Sequence, residues 1–132
     1  MSAFAFFLKL PLFKGVEPEA LFSLIPKITL DFESYQEGEV LVNSKSAPKG
    51  VVFLLEGRAK GIREAGARVF ASGSLISCSG LFGSGKKVSM NVIALEDSRI
   101  LVIDVKSLIY LMQNNTTILT NYLDMLSDDL GR

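Results

Sequence analysis

Residues 75–94, LISCSGLFGSGKKVSMNVIA, decide the fold of this chain. Its two ends read as strands. The glycine-rich middle, Gly80-Leu81-Phe82 through Gly83 and Gly85, reads as a short helical turn leading into a strand over Val88–Ala94. Backbone N–H groups at such a helix start have no intrahelical partner and can cradle an anion. If the second strand extends back from Val88, its period-2 alternation puts Lys86 on the same face as Val88. There an ammonium supplies a point charge, less exacting in geometry than the Arg fork. With the N–H groups near Gly80 and Gly83, Lys86 can then hold a small anion. The alternative is a plain loop between strands, with Lys86 and Lys87 in a solvated turn.

Composition narrows the chemistry before any motif does. The 132 residues are 48% hydrophobic and 21% charged, with no net charge, the balance of a folded chain of one domain. A nucleic-acid binder acting alone carries a basic excess, so DNA contact is not expected from this chain by itself. It has no His and a single Cys, Cys78. That removes the commonest general base, an internal disulfide and the usual zinc and iron–sulfur ligand sets, and an enzyme is not expected. The N-terminal Phe4–Leu8 run is too short for a signal peptide, lacks basic residues before it, and is followed by Lys9 and Pro11. With a single Cys and no internal disulfide a cytoplasmic protein is expected, and no stretch approaches the roughly 18 apolar residues of a membrane span.

Outside the opening segment the pattern divides into three. Pro18, flanked by Glu17 and Glu19, begins a helix whose apolar face is Leu21, Leu24 and Ile25, and Pro26 stops it. From Ile28 to about Ile103 short apolar runs alternate with turn residues. Strands are expected over Ile28–Tyr35, Val40–Val42, Val51–Leu55, Ala59–Arg63 and Arg68–Ala71, with Gly66 in a hairpin turn. Val88–Ala94 and Arg99–Ile103 are expected to pair with each other across Glu96-Asp97-Ser98. Many short strands at regular spacing predict a β-sandwich or jelly roll. Asp104 is a good N-cap for a helix over Val105–Met112, and Asn114 or Asn115 for a second from Thr116 to about Leu130.

This order, with LPLFKGVEPEALFSLI, YQEGEVL, VVFLLEGRAK and ALEDSRILVIDVKSLIYLMQNN around the opening segment, resembles the cyclic nucleotide-binding domain of CRP/FNR-type bacterial transcription regulators. The resemblance covers nearly the whole chain. It implies a mainly β fold, a double-stranded β-helix or jelly roll, as one sensor domain over residues 1–132. Its parts are a helical piece at about 1–26, the jelly roll at about 27–104 and C-terminal helices at about 105–131. Residues 75–94 then match the phosphate-binding cassette. In the family a Gly-Glu pair and an Arg of that cassette hold the ribose hydroxyl and the cyclic phosphate. Here Ser77 and Cys78 stand at the Gly-Glu pair and Val88 at the Arg.

A valine cannot neutralise a phosphate, and a thiol cannot replace two carboxylate acceptors. Losing a charge-assisted hydrogen bond of this kind costs roughly 1.5–3 kcal/mol. The resemblance therefore implies a ligand region at Gly80, Leu81, Phe82, Gly83, Lys86, Val88 and Ser89, with Cys78 and Val88 as degenerate positions. It takes neither cAMP nor cGMP in the usual way, and an unidentified small anion is the open alternative. No metal or other cofactor is expected. A thiol at a helix start near lysines also admits a redox reading of Cys78, against the usual fate of a lone Cys as a small buried hydrophobe.

Two apolar stripes run along the last helix. Leu119, Leu123, Leu126 and Leu130 form one; Ile118, Tyr122 and Met125 form the other. One reading is a broad core face. The other, which the resemblance implies, is a helix that meets its copy in a homodimer through Ile118, Tyr122 and Met125. In the regulators that helix leads into a winged helix-turn-helix, so DNA contact is expected only through a domain outside this chain. Two readings follow: the sensor and dimerisation domain of a regulator, or a stand-alone degenerate module acting in protein interaction. A cupin-like enzyme shares the jelly-roll architecture but usually holds metal through several His, and this chain has none.

Overall fold

The computed structural model describes residues 7–63, 66–82 and 90–130. Eight strands follow a short N-terminal helix: β1 Leu30–Tyr35, β2 Val40–Val42, β3 Gly50–Glu56, β4 Ala59–Arg63, β5 Gly66–Phe70, β6 Leu75–Ser77, β7 Asn91–Ala94 and β8 Ser98–Asp104. The helices are α1 Pro18–Leu24, α2 Val105–Asn114 and α3 Thr116–Leu130, with 3-10 turns at Pro11–Phe13 and Ile25–Lys27. Pro18 sits in a first turn, where the missing N–H has no partner to lose, and the α-helix ends before Pro26, which has no N–H to continue it.

The strands form two antiparallel four-stranded sheets, ordered β1-β8-β3-β6 and β2-β7-β4-β5. This is the jelly roll expected from the strand spacing. One pairing differs. β7 and β8 are not partners: β7 lies between β2 and β4, and β8 lies between β1 and β3 in the other sheet. The turn at Glu96-Asp97-Ser98 therefore carries the chain from one sheet to the other. The burial of β8 fits this, since Ile100, Leu101, Val102 and Ile103 are all buried and the strand is covered on both faces. The β4–β5 hairpin forms as expected, but Gly66, expected in its turn, is the first residue of β5 and pairs with Arg63.

Alternation along the first sheet divides the interior into two cores. Val52, Leu54, Ile100 and Val102 point between the sheets and meet Leu41, Phe70, Ile76 and Val92. Val51, Phe53, Leu101 and Ile103 point the other way, against Leu12, Phe13 and Leu21 of the N-terminal segment and Leu108, Leu111 and Ile118 of α2 and α3. Burying each such side chain contributes about 1.5–3 kcal/mol, enough to make the helices integral to the sandwich.

Capping fixes where the two C-terminal helices begin. Asp104 Oδ1 accepts from Ser107 N at 2.7 Å, and Asn115 Oδ1 accepts from Ile118 N at 3.1 Å. Asn121 then ties α3 to the N-terminal segment, donating to the carbonyls of Leu12 at 2.9 Å and Lys14 at 2.8 Å. Among the described residues no helix is long and apolar enough to cross a membrane.

Candidate functional site

Strand β6 carries the chain to Cys78, with Ser77 opposite Val52 of β3. Over residues 78–82 the backbone bends without forming a helix. The helical turn expected at Gly80-Leu81-Phe82 is thus absent from the described residues. Gly80 has φ +76°, a left-handed conformation that glycine adopts without strain, and it turns the chain back so that Leu81 drops into the core.

Cys78 is fully buried in the helix-side core. Its carbonyl accepts a hydrogen bond from the Tyr122 hydroxyl of α3 at 2.9 Å. Phe82 stands edge-on to the Tyr122 ring, with centroids 6.2 Å apart and an interplanar angle of 80°. Cys78, Leu81 and Phe82 therefore join residues 78–82 to the helix-side core and the C-terminal helix. The position that the resemblance gives to the ribose-binding Glu lies inside this joint.

The electrostatics suit a closed joint. Burial pushes the Cys78 thiol up to about 12, and the nearby Asp129 carboxylate acts in the same direction. Tyr122 is also raised to about 12, by burial first and then by Cys78 and Asp129. At neutral pH both groups are protonated, and the thiol is no nucleophile. The redox reading of Cys78 loses its physical basis, because the sulfur is neither exposed nor ionised. Asp129, itself buried, adds negative charge beside Cys78.

Gly80, Leu81 and Phe82 come together at this joint. Gly83, Lys86, Val88 and Ser89 lie outside the described residues. Ile118, Tyr122 and Met125 require a correction. All three are buried within the chain's own core, so this stripe is not available to a second copy. Among the described side chains, the apolar groups that α3 leaves exposed are Leu119 at 38% and Leu123 at 52%, from the other stripe. Asp129 was missed by sequence reasoning. It continues the buried spacing Ile118, Tyr122, Met125 by four residues, and an acid extending an apolar stripe was the signal available.

The family model described as the cyclic nucleotide-binding domain matches residues 32–115. The sensor domain of the transcriptional regulator DNR from Pseudomonas aeruginosa superposes with a TM-score of 0.77 at 18% identity, covering 96% of this chain and 92% of that one. The catabolite activator protein of Thermus thermophilus gives a TM-score of 0.75 at 20% identity over 91% of this chain and 58% of its own. A transcriptional regulator from Thermotoga maritima gives 0.66 at 24% identity, covering 83% of this chain and 88% of that one. At these identities the structures establish a shared fold. No curated protein matches this chain.

Proposed function

Because this chain belongs to the cyclic nucleotide-binding domain family, we propose that it is the ligand-sensing and dimerisation domain of a CRP/FNR-type bacterial transcription regulator, one that does not bind cAMP or cGMP in the usual way. DNA contact then falls to a domain outside this chain. Dimerisation falls to the exposed face of α3 at Leu119 and Leu123 rather than to the buried stripe. The role is binding and transmission, with no catalytic step.

The observation that carries this reading is the bond from Tyr122 to the Cys78 carbonyl. A ribose-binding carboxylate must be ionised, solvated and free to accept hydrogen bonds. A buried neutral thiol whose own carbonyl is held by α3 offers none of these properties. The same bond supplies a route for a signal. Any ligand that shifts residues 78–82 alters the seat of Tyr122, and so biases the position of α3 by its differential affinity for the two arrangements.

Hydrogen exchange on Tyr122→Phe tests the coupling. Loss of the hydroxyl raises exchange about five- to tenfold, in step, at amides 75–82 and 116–126, relative to the β4–β5 hairpin. A rise confined to either segment alone contradicts the reading.

A further inference from the structure

A second candidate site lies on the other face of the first sheet from Cys78. Between the two sheets is a cavity of about 190 Å³ whose walls include Leu41, Val52, Ile100 and Val102. Its mouth is bounded by β1 and by the loop from β2 to β3, which bring Glu33, Tyr35 and Lys49 to the rim. Inward positions of a sandwich strand are ordinarily apolar. On β1, however, Glu33 and Tyr35 share one face, and Tyr35 packs against the inter-sheet core. The Tyr35 hydroxyl donates to Glu33 Oε1 at 2.5 Å, which fixes the carboxylate at the cavity mouth. Burial, then the bond to Glu33, raises Tyr35 to about 12 and keeps its proton in that bond at neutral pH.

We infer that this cavity binds a small uncharged molecule with a single-ring or short branched apolar body and one hydroxyl group. Size sets the body: a cavity of roughly 150 Å³ lined by aliphatic side chains already accepts benzene. Charge sets the head. Among the described residues the ion pairs are Arg58–Glu96 and Arg99–Glu56, so Glu33 and Lys49 both line the cavity without pairing to each other. An amine head meets the Lys49 ammonium, and a carboxylate or phosphate meets Glu33. A hydroxyl, the smallest uncharged head with both functions, donates to the carboxylate and accepts from the ammonium at once. The inference extends past the sensor reading and does not depend on it.

Titration of the full chain followed by amide NMR, with phenol and 3-methylbutan-1-ol as probes and the matching branched amine and carboxylic acid as controls, tests this. Saturable shifts are expected at residues 33–35, 40–52 and 100–102, with Kd on the order of millimolar for ligands of this size. The charged controls bind about tenfold more weakly or worse. Ile100→Phe fills the cavity and abolishes the shifts. Should that variant fail to fold, Val42→Phe at the half-buried wall makes the same test. Absence of saturable shifts, equal binding of the charged controls, or binding that survives a folded cavity-filling variant overturns the inference.

Discussion

The Tyr122 hydroxyl donates to the main-chain carbonyl of Cys78 across 44 residues of sequence, at 2.9 Å and wholly out of water. Such a bond is worth about 0.5–1.5 kcal/mol when made, while leaving a buried carbonyl unsatisfied costs about 1–3 kcal/mol. The pair therefore holds α3 to the segment after β6 out of proportion to its size.

Tyr122→Phe should lower stability by about 1–2 kcal/mol with an unchanged denaturant slope, since the ring and its edge contact with Phe82 remain. Tyr122→Ala removes the ring as well and should cost about 3–5 kcal/mol. Urea denaturation followed by circular dichroism checks both. Equal destabilisation in the two variants would show that the hydroxyl, not the ring, dominates.

The buried thiol and phenol make stability fall at high pH. A group whose folded pKa lies above its unfolded one is protonated in the folded state after the unfolded chain has released the proton. Its stabilisation is complete below the unfolded value and is lost as pH rises towards the folded value. For Cys78 the window runs from its ordinary 9.0 to about 12, and for Tyr122 and Tyr35 from 10.0 to about 12. Stability should be flat below pH 8 and decline above about 9, and Cys78→Ala should delay the onset to about pH 10. The native thiol should also resist a disulfide reagent at pH 8 and react on unfolding. Rapid native labelling would contradict the burial of Cys78.

Gly57 and Gly38 both have positive φ, +94° and +89°, yet differ in surroundings. A Cβ on Gly57 would collide with Ser98 Oγ and lie 2.7 Å from the Asp97 carbonyl, whereas one on Gly38 meets nothing within 4 Å. Gly38→Ala should cost only the conformational penalty of about 1–2 kcal/mol. Gly57→Ala adds a backbone clash at the crossing between sheets and should cost about 3–5 kcal/mol in total. Thermal unfolding of the pair reads the difference.

The two stripes of α3 separate by substitution. Leu123→Glu should change stability by no more than about 0.5 kcal/mol, because the side chain is half exposed, while weakening self-association in sedimentation. Ile118→Ala, at a fully buried position, should cost about 2–5 kcal/mol. Unaltered self-association in Leu123→Glu would remove this face from the dimer.

Much of this architecture was legible from local chemistry. Gly66 marks a hairpin, opening its second strand, Asp104 and Asn115 cap helices, and Pro18 opens one, each through groups within a few residues. The partners of β7 and β8 were not legible, because adjacency in sequence favours a hairpin and only the two-faced burial of Ile100–Ile103 reveals a central strand. The choice between stripes on α3 was hidden for a related reason. Both are apolar, and periodicity does not say which face meets the sheet. Asn121, bonded to two N-terminal carbonyls, and Asp129, beside Cys78, decide it only once the chain is folded. At the site, the resemblance puts the thiol of Cys78 where the family has a carboxylate, whereas the bond from Tyr122 to the Cys78 carbonyl depends on contacts between distant segments.

On this reading the chain's own Tyr122 and Cys78 close the place where a cyclic nucleotide would otherwise be held. Calorimetric titration of the full chain with cAMP and with cGMP is the decisive experiment. Two charge-assisted hydrogen bonds are missing, at roughly 1.5–3 kcal/mol each, so no saturable heat is expected at micromolar concentrations and the Kd should be no tighter than about millimolar. Stoichiometric binding of either nucleotide with a micromolar Kd would contradict it.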